Sequence, residues 1–527
     1  MPPLEFLTFP YELRHHIYRD YFTLSDGYTF QPGSGKLATA DGQPLELSLM
    51  YTCRFIASET KSLPLMWNNI SFSTVYRPEW SSWAGRFDYL LRAEWHQRID
   101  ILLSLGRFIT PGMISQIAAT YPWFVPQLNI AMRDLAVRSL YRMNSSYCRT
   151  WPLSKTLESE SVLCFSDYPA ESTLHRAVDF TLRLLAQSSD EKLVQMIAGI
   201  VGYWQGCRGL EDFLDQCYEP WDIPSRTGLD ALGRALGDDE LWRTMGHWHR
   251  NERNTNEYRP KFRFSATAVA IRFLNHLPLE KRLCIRNLVL REDHIAVGRQ
   301  ECHSLGLIPF CKENSQLRIS LHVSMVTNLF QRAALPKVRS FDELETITEQ
   351  KVLNRTIPEI SSVVGSWLTE ALVLTDAGMP ADSYTLTLDG EHAIELCTSI
   401  FQHEVHRRVA IQRAVERCFP WPPEKQRQDP FRFLNRKFPE AFKHLVNETT
   451  YLRTNFNPGN LWNVNRLIAY YSGYHIAQFH EEFGSKSPHN FFASSHEPLL
   501  GALLMENYEC RPCPWFPEAI RRWYSSH

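Results

Sequence analysis

The sequence predicts a mainly α protein with a smaller α/β portion. Three observations carry this. Apolar residues recur at helical spacing through most of the chain; one clear strand, Tyr384 to Leu388, ends on the turn pair Asp389-Gly390; and an apolar content of 44% in 527 residues suffices for large cores. A chain of this length divides into roughly two to four domains.

Pro10 suits a helix start, and Leu13, Ile17 and Tyr21 recur at every fourth position, giving a short helix one apolar stripe. Gly27 to Gly42 reads as loop or hairpin. A helix is expected from Leu47 to Leu63, stopped by Pro64, and Trp67 to Phe72 has the aromatic and β-branched content of a short strand. Between 87 and 245, helices are expected at 89–105, after the Thr110-Pro111 cap, and near 126–142, 171–187, 190–204 and 228–243. The polar stretch Asn251 to Lys261 has little to bury and marks an internal boundary. Beyond it a helix spans Ser265 to Leu277, and Leu283 to Leu290 is a short apolar run whose pattern leaves strand and helix both open. A long helix from Ala393 to Arg417 follows the Tyr384 strand. Pro-rich Cys418 to Pro430 marks a second boundary, before helices at 434–445, 462–482 and 516–525. The implied division is an N-terminal lobe at 1–80, a helical region at 81–250, a mixed α/β block at 262–420 and a C-terminal helical region at 431–527.

Lys and Arg number 56 against 58 Asp and Glu, which excludes a surface that grips nucleic acid all over, though not a local basic face. No run of about 18 apolar residues lacks charge, so no membrane partner is expected. The N-terminus lacks a secretory pattern, and the 12 cysteines are scattered, which fits a reducing cytoplasmic or nuclear setting. The sequons at Asn69, Asn144, Asn354 and Asn447 are then expected to stay unmodified.

Chemistry-bearing clusters are few. Glu292, Asp293, His294, Cys302 and His303 follow an expected strand and fall in a loop, where sites concentrate, and a Cys–His pair within hydrogen-bond reach supports nucleophilic catalysis. Cys510 and Cys513 form a CxxC that can hold a metal when both sulfurs converge, but no second close pair accompanies it, and upstream His475, His480, His489 and His496 would have to fold back; no metal is expected. His403-Glu404-Val405-His406-Arg407 misses the i, i+4 histidines of a zinc protease, and His475 and His480 are five apart, off a common helix face. Gly237-Asp238-Asp239-Glu240 reads as a solvated helix end, and the basic run Lys425, Arg427, Arg432, Arg436, Lys437 with Phe431 and Phe433 as a solvated face beside a linker. Neither a Walker loop nor GxGxxG occurs, and no cofactor is expected.

The motif Phe9-Pro10-x-Glu12-Leu13-Arg14-x-x-Ile17-Tyr18, with Thr52-Cys53-Arg54-x-x-x-x-Glu59 and Trp67-x-Asn69-x-x-Phe72, resembles the F-box-like domains at the start of filamentous-fungal proteins. That resemblance implies a helical N-terminal lobe in which Leu13, Ile17 and Tyr21 face either the lobe core or the Skp-type linker protein of a ubiquitin ligase. Later parts of the chain would then recruit an unknown protein substrate. Arg291 to Val297, Gly306 to Asn314 and Met379 to Gly390 look like blocks in large uncharacterised proteins of the same fungi, and that resemblance brings no activity. A weaker resemblance is to the arginine-containing cyclodipeptide synthases, implying a secondary-metabolite enzyme that draws on aminoacyl-tRNA. Their Asp-Asp-x-x-Glu motif is not met, because Asp238-Asp239 is followed by Trp242 at the last position.

Overall fold

The computed structural model describes residues 6–132, 169–188, 190–201, 208–235, 242, 244–251, 255–335, 341–419, 435, 437–484 and 500–513. The described strands are β1 (Tyr28–Gln31), β2 (Lys36–Ala38), β3 (Asn69–Ser73), β4 (His249–Arg250), β5 (Asn256–Pro260), β6 (Asn287–Glu292), β7 (Arg318–Ser324), β8 (Tyr384–Asp389), β9 (Leu452–Thr454) and β10 (Tyr508–Pro512). Seven of them form one sheet in the order β2-β1-β3-β6-β7-β8-β9, with the β1–β2 hairpin antiparallel and every other pair parallel. Helices cover most of the remaining described chain, so the protein is mainly α with a smaller α/β portion. The sheet is not confined to the mixed block expected at 262–420. It draws strands from Tyr28 to Thr454, and β3 lies beside β6 across the whole helical region between them.

Each parallel strand is laid down on the same side of its predecessor. Right-handed crossovers then put every connection on one face, leaving the other open. The strands show it by alternating. Ile70, Phe72, Leu288, Leu290, Ile319, Leu321, Leu386 and Leu388 are buried on the covered face, where the Ala266–His276 helix packs on β3 and β6. In-register Arg291, His322, Thr387 and Arg453 occupy the open face, where a doubly covered parallel sheet would be apolar.

In the N-terminal lobe the Tyr11–Phe22 helix buries Arg14, Tyr18 and Phe22. Tyr18 and Phe22 join Ile56 and Leu63 in a small core of their own. The Glu59 carboxylate accepts from Arg14 Nε at 3.1 Å and from the Tyr18 hydroxyl at 2.7 Å, fixing the helix rotation. That rotation leaves Leu13, Ile17 and Tyr21 outside. The single helix expected over 47–63 is three short ones, Ser48–Tyr51, Arg54–Thr60 and Leu63–Trp67. Pro64 starts the last instead of stopping the first, because a first-turn residue needs no N–H partner. The lobe is wired into the body, since β1, β2 and β3 all belong to the main sheet and Val75 exchanges both backbone hydrogen bonds with Phe264.

Other expectations shift in the same way. The polar stretch read as a boundary contains β5, which pairs with β10 and β4, and its Tyr258 ring stacks on Phe341 at 4.1 Å. The helix expected over 462–482 is two, Val464–Tyr471 and Ile476–Gly484, broken at Ser472-Gly473. The Ala393–Arg417 expectation corresponds to Ile394–Ile400 and His406–Cys418 joined by a π turn. The second half of the 126–142 helix and the 516–525 helix lie outside the described residues.

Candidate functional site

The chain leaving β6 forms a loop and 3-10 helix, Gln300–Leu307, held by buried polar groups. Glu292 is fully buried and sits at the start of the Ala266–His276 helix. Its carboxylate accepts from Thr267 N at 2.9 Å, the Thr267 hydroxyl at 2.6 Å and Ala266 N at 3.1 Å, satisfying helix N–H groups that have no partner within the helix. Burial raises its pKa. Asn328 Nδ2 donates to the Glu292 carbonyl at 3.1 Å and to the His294 carbonyl at 2.9 Å. Asp293 accepts from Thr74 N at 3.1 Å and lies 3.5 Å from His294 Nδ1. Burial works to raise Asp293, but His294 and Thr74 hold its carboxyl below the usual range.

His303 is buried with Nε2 donating to the Gly298 carbonyl at 2.7 Å, so Nδ1 is the acceptor for the Ser265 hydroxyl at 2.6 Å. Burial lowers its pKa to about 4. Gly298 has φ +84°, and a Cβ there would come within 2.3 Å of the Pro220 carbonyl oxygen. Cys302 Sγ donates to the Arg299 carbonyl at 3.1 Å, and burial pushes this thiol well above its ordinary value. The neighbours Cys302 and His303 therefore serve different partners. Neither is in the ionisation state a Cys–His nucleophile needs. Iodoacetamide treatment of the native protein up to pH 9 is expected to leave Cys302 unmodified in peptide mass spectra while exposed Cys510 is alkylated. Labelling of both at one rate would contradict this.

The same loop brings Arg299 beside the Glu171–Ala186 helix. Arg299 holds a left-handed backbone, φ 56°, which a non-glycine residue seldom adopts without a functional or packing reason. Its side chain is half-buried, with 26% of its surface accessible. Around it lie Glu171, with Oε1 3.6 Å from Arg299 Nη1, and His175, whose Nε2 is 3.9 Å from the same carboxylate. The His175 ring stacks on Trp95 at 3.5 Å. Glu301 pairs with Arg332 at 3.1 Å, and Glu370 accepts from Ser172 N at 2.8 Å. Arg98 and Glu94 continue the cluster along the Pro78–Leu105 helix, with Cys217 reaching it from the end of the Leu210–Gln216 helix. Burial drives His175 well below its ordinary value, helped by Arg299 and Arg98, so this imidazole is neutral. Burial also raises Glu370 to about 7 and Glu94 to about 8.

Glu171, Glu301 and Glu370 all act on the Arg299 charge, but hydrogen bonding is left incomplete here. Arg299 Nη1, Arg98 Nε and His175 Nε2 are buried without a hydrogen-bond partner among the described residues. Each such group costs about 1–3 kcal/mol when nothing replaces water. Sequence reasoning flagged Cys302 and His303 but not Arg299 and Glu301 beside them, nor Arg98, His175 and Glu370, which three other elements bring in from distant positions.

The remaining candidates separate. Leu13, Ile17 and Tyr21 stand 52%, 41% and 37% exposed. Cys510 is exposed on β10 while Cys513 is buried just beyond it, so an extended chain turns the two sulfurs to opposite sides instead of to one point. No group of three or more metal-ligating side chains that could hold a metal ion occurs among the described residues. His406 donates to the Pro458 carbonyl, and Glu404 pairs with Arg407 and Arg408, so that stretch is structural. His475 is exposed; His489, His496, residues 237–240 and the basic positions from Lys425 to Arg436 lie outside the described residues. No helix among the described residues is long and apolar enough to cross a membrane. No family model, curated protein or solved structure matches the chain.

Proposed function

We propose that the chain is an interaction protein that docks a partner on the outer face of its first helix, as a substrate-recruiting adaptor of a ubiquitin ligase would. The observation that carries this reading is the exposed stripe of Leu13, Ile17 and Tyr21 on a helix whose neighbouring face is locked by Arg14, Tyr18 and Phe22. Leu7, Tyr11 and Phe55, between 48% and 50% exposed, widen the apolar area. Leu13 and Ile17 lie outside the lobe's core cluster, and an exposed apolar patch of this kind marks an interaction site. Anchors at i, i+4 and i+8 suit burial in a partner's groove. The F-box-like resemblance makes that partner the Skp-type linker protein, with the body recruiting a protein substrate in the cytoplasm or nucleus.

Co-expression with a Skp-type linker followed by size exclusion should yield a joint peak for the natural chain. The double variant Leu13→Asp/Ile17→Asp should elute alone with an unchanged melting temperature, because both side chains already face solvent. Separate elution of the natural chain, or co-elution of the variant, would sink the proposal.

The cluster of buried charged side chains around Arg299 favours a second reading, a fungal secondary-metabolite enzyme acting on aminoacyl-tRNA. It would show as consumption of aminoacyl-tRNA by the purified chain, and no consumption would remove it.

A further inference from the structure

The open face of the main sheet is a second accessible surface, separate from the helix stripe. We propose that it receives an extended, acidic segment of a protein partner; only the naming of that partner as a substrate rests on the adaptor reading. Arg291, His322, Thr387 and Arg453 lie side by side on the parallel strands β6 to β9, and Arg318 stands on the same side of β7, at its start. Arg291 and Arg318 are exposed and the other three are half-buried. A parallel sheet covered on both faces would be apolar at all these positions.

Charge selects the partner. Among the described residues none of the three arginines has a carboxylate partner. Arg318 Nη1 donates to the Ser315 and Leu317 carbonyls at 2.8 and 3.0 Å, and Arg453 Nη1 donates to the Leu452 carbonyl at 2.7 Å. Those bonds hold two guanidinium groups in place without cancelling their charge, and each group keeps donors to spare. Ser71, Ser320 and Thr385, in the in-register row before the arginines, add hydroxyl groups and no charge. The acids Asp293 and Asp389 stand beyond the arginine row, at the carboxyl ends of β6 and β8. Asp293 accepts from Thr74 N at 3.1 Å, while Asp389 accepts from Asn455 Nδ2 at 2.6 Å and faces His322 at 3.8 Å. Those rim carboxylates repel a continuous phosphate backbone, and these rows hold no Phe, Tyr or Trp on which bases could stack.

Spacing describes the segment. Arg291 and Arg453 are three strand spacings apart, roughly 14 Å. An extended chain crossing the strands covers that span in about four residues, and its side chains at i and i+4 point the same way. Carboxylates at those two positions meet the two arginines, a pairing that guanidinium geometry favours.

The test titrates the full chain, with no linker protein present, into a fluorescein-labelled peptide of alternating Glu and Ser and follows anisotropy. Parallel arms use a Gln-Ser peptide, a Lys-Ser peptide and a single-stranded oligonucleotide. Saturable binding is expected for the Glu-Ser peptide alone, weakening as salt rises. Arg291→Gln should weaken it at least fivefold at an unchanged melting temperature, because that side chain is exposed, and Arg453→Gln should weaken it as much. Arg208→Gln removes the same charge from a side chain 95% accessible elsewhere and should bind like the natural chain. No saturable binding of the Glu-Ser peptide, tighter binding of the oligonucleotide, or an equal loss in Arg208→Gln would overturn the proposal. Because no linker is present, such a failure leaves the Leu13 and Ile17 surface untouched, and failure of linker binding leaves this result standing.

Discussion

A chain lacking residues 1–80 is expected not to fold cooperatively. The deletion removes β1, β2 and β3 and turns β6, the next strand of the sheet, into a bare edge. Tyr28, Ile70, Phe72 and Val75 are each at most 4% exposed and leave together with their packing on Leu288, Leu290 and Phe264. A fully buried side chain of this size contributes about 1.5–3 kcal/mol. Four of them, with the lost strand pairing, rival the roughly 5–15 kcal/mol by which a domain is stable. The 81–527 fragment should be insoluble, or soluble with no sharp melting transition. A soluble fragment with a sharp transition near that of the full chain would show that the lobe is a separable module. The proposed partner surface and the sheet are thus carried by one segment, which is why point substitutions on the outer helix face, and not truncation, can test the proposed docking role.

Replacing Glu94 with Gln should remove an alkaline loss of stability. Burial holds the folded carboxyl near pKa 8, against 4.5 as its reference value. The folded state therefore keeps a proton that the unfolded chain releases, and stability falls as pH rises from 4.5 to 8, on the order of 4 kcal/mol in all. Glu370, near 7, acts in the same direction. His303 acts oppositely. Its folded value is about 4 against 6.5, so the unfolded chain binds the extra proton and stability falls as pH drops from 6.5 to 4. The opposed slopes offset one another between 4.5 and 6.5. Above about pH 7 the Glu94 carboxyl dominates among these groups. From pH 7 to pH 8 the urea midpoint should drop for the natural chain and drop much less for Glu94→Gln, which keeps only the Glu370 contribution. Equal drops would mean that Glu94 is ionised in the folded protein.

Short-range patterns were readable in the sequence and long-range partnerships were not. The Thr110-Pro111 cap, the helix beginning at Ser265 and the Tyr384 strand with its Asp389-Gly390 turn all depend on neighbours within a few residues, and each appears where expected. The alternation of Ile319, Leu321 and Val323 in β7 passed unnoticed, although it is the period-2 pattern of a half-covered strand. The Glu349–Asp376 helix was hidden by Pro358 and Gly365 inside it; a Cβ at Gly365 would come within 3.1 Å of the Phe438 ring, so that glycine reflects packing. The charged cluster could not be read because Arg98, His175, Arg299 and Glu370 share no spacing. Their only local signal was a charged run, Arg299 to Glu301, beside an already suspected Cys302-His303.

The docking claim meets its most direct test in a calorimetric titration of a purified Skp-type linker protein into the full-length chain and into Leu13→Asp/Ile17→Asp. The predicted result is one linker per chain, with affinity weakened at least tenfold in the variant at an unchanged melting temperature. No binding to the natural chain, or equal affinity for the variant, would contradict the assignment of the Leu13, Ile17 and Tyr21 stripe as the partner surface.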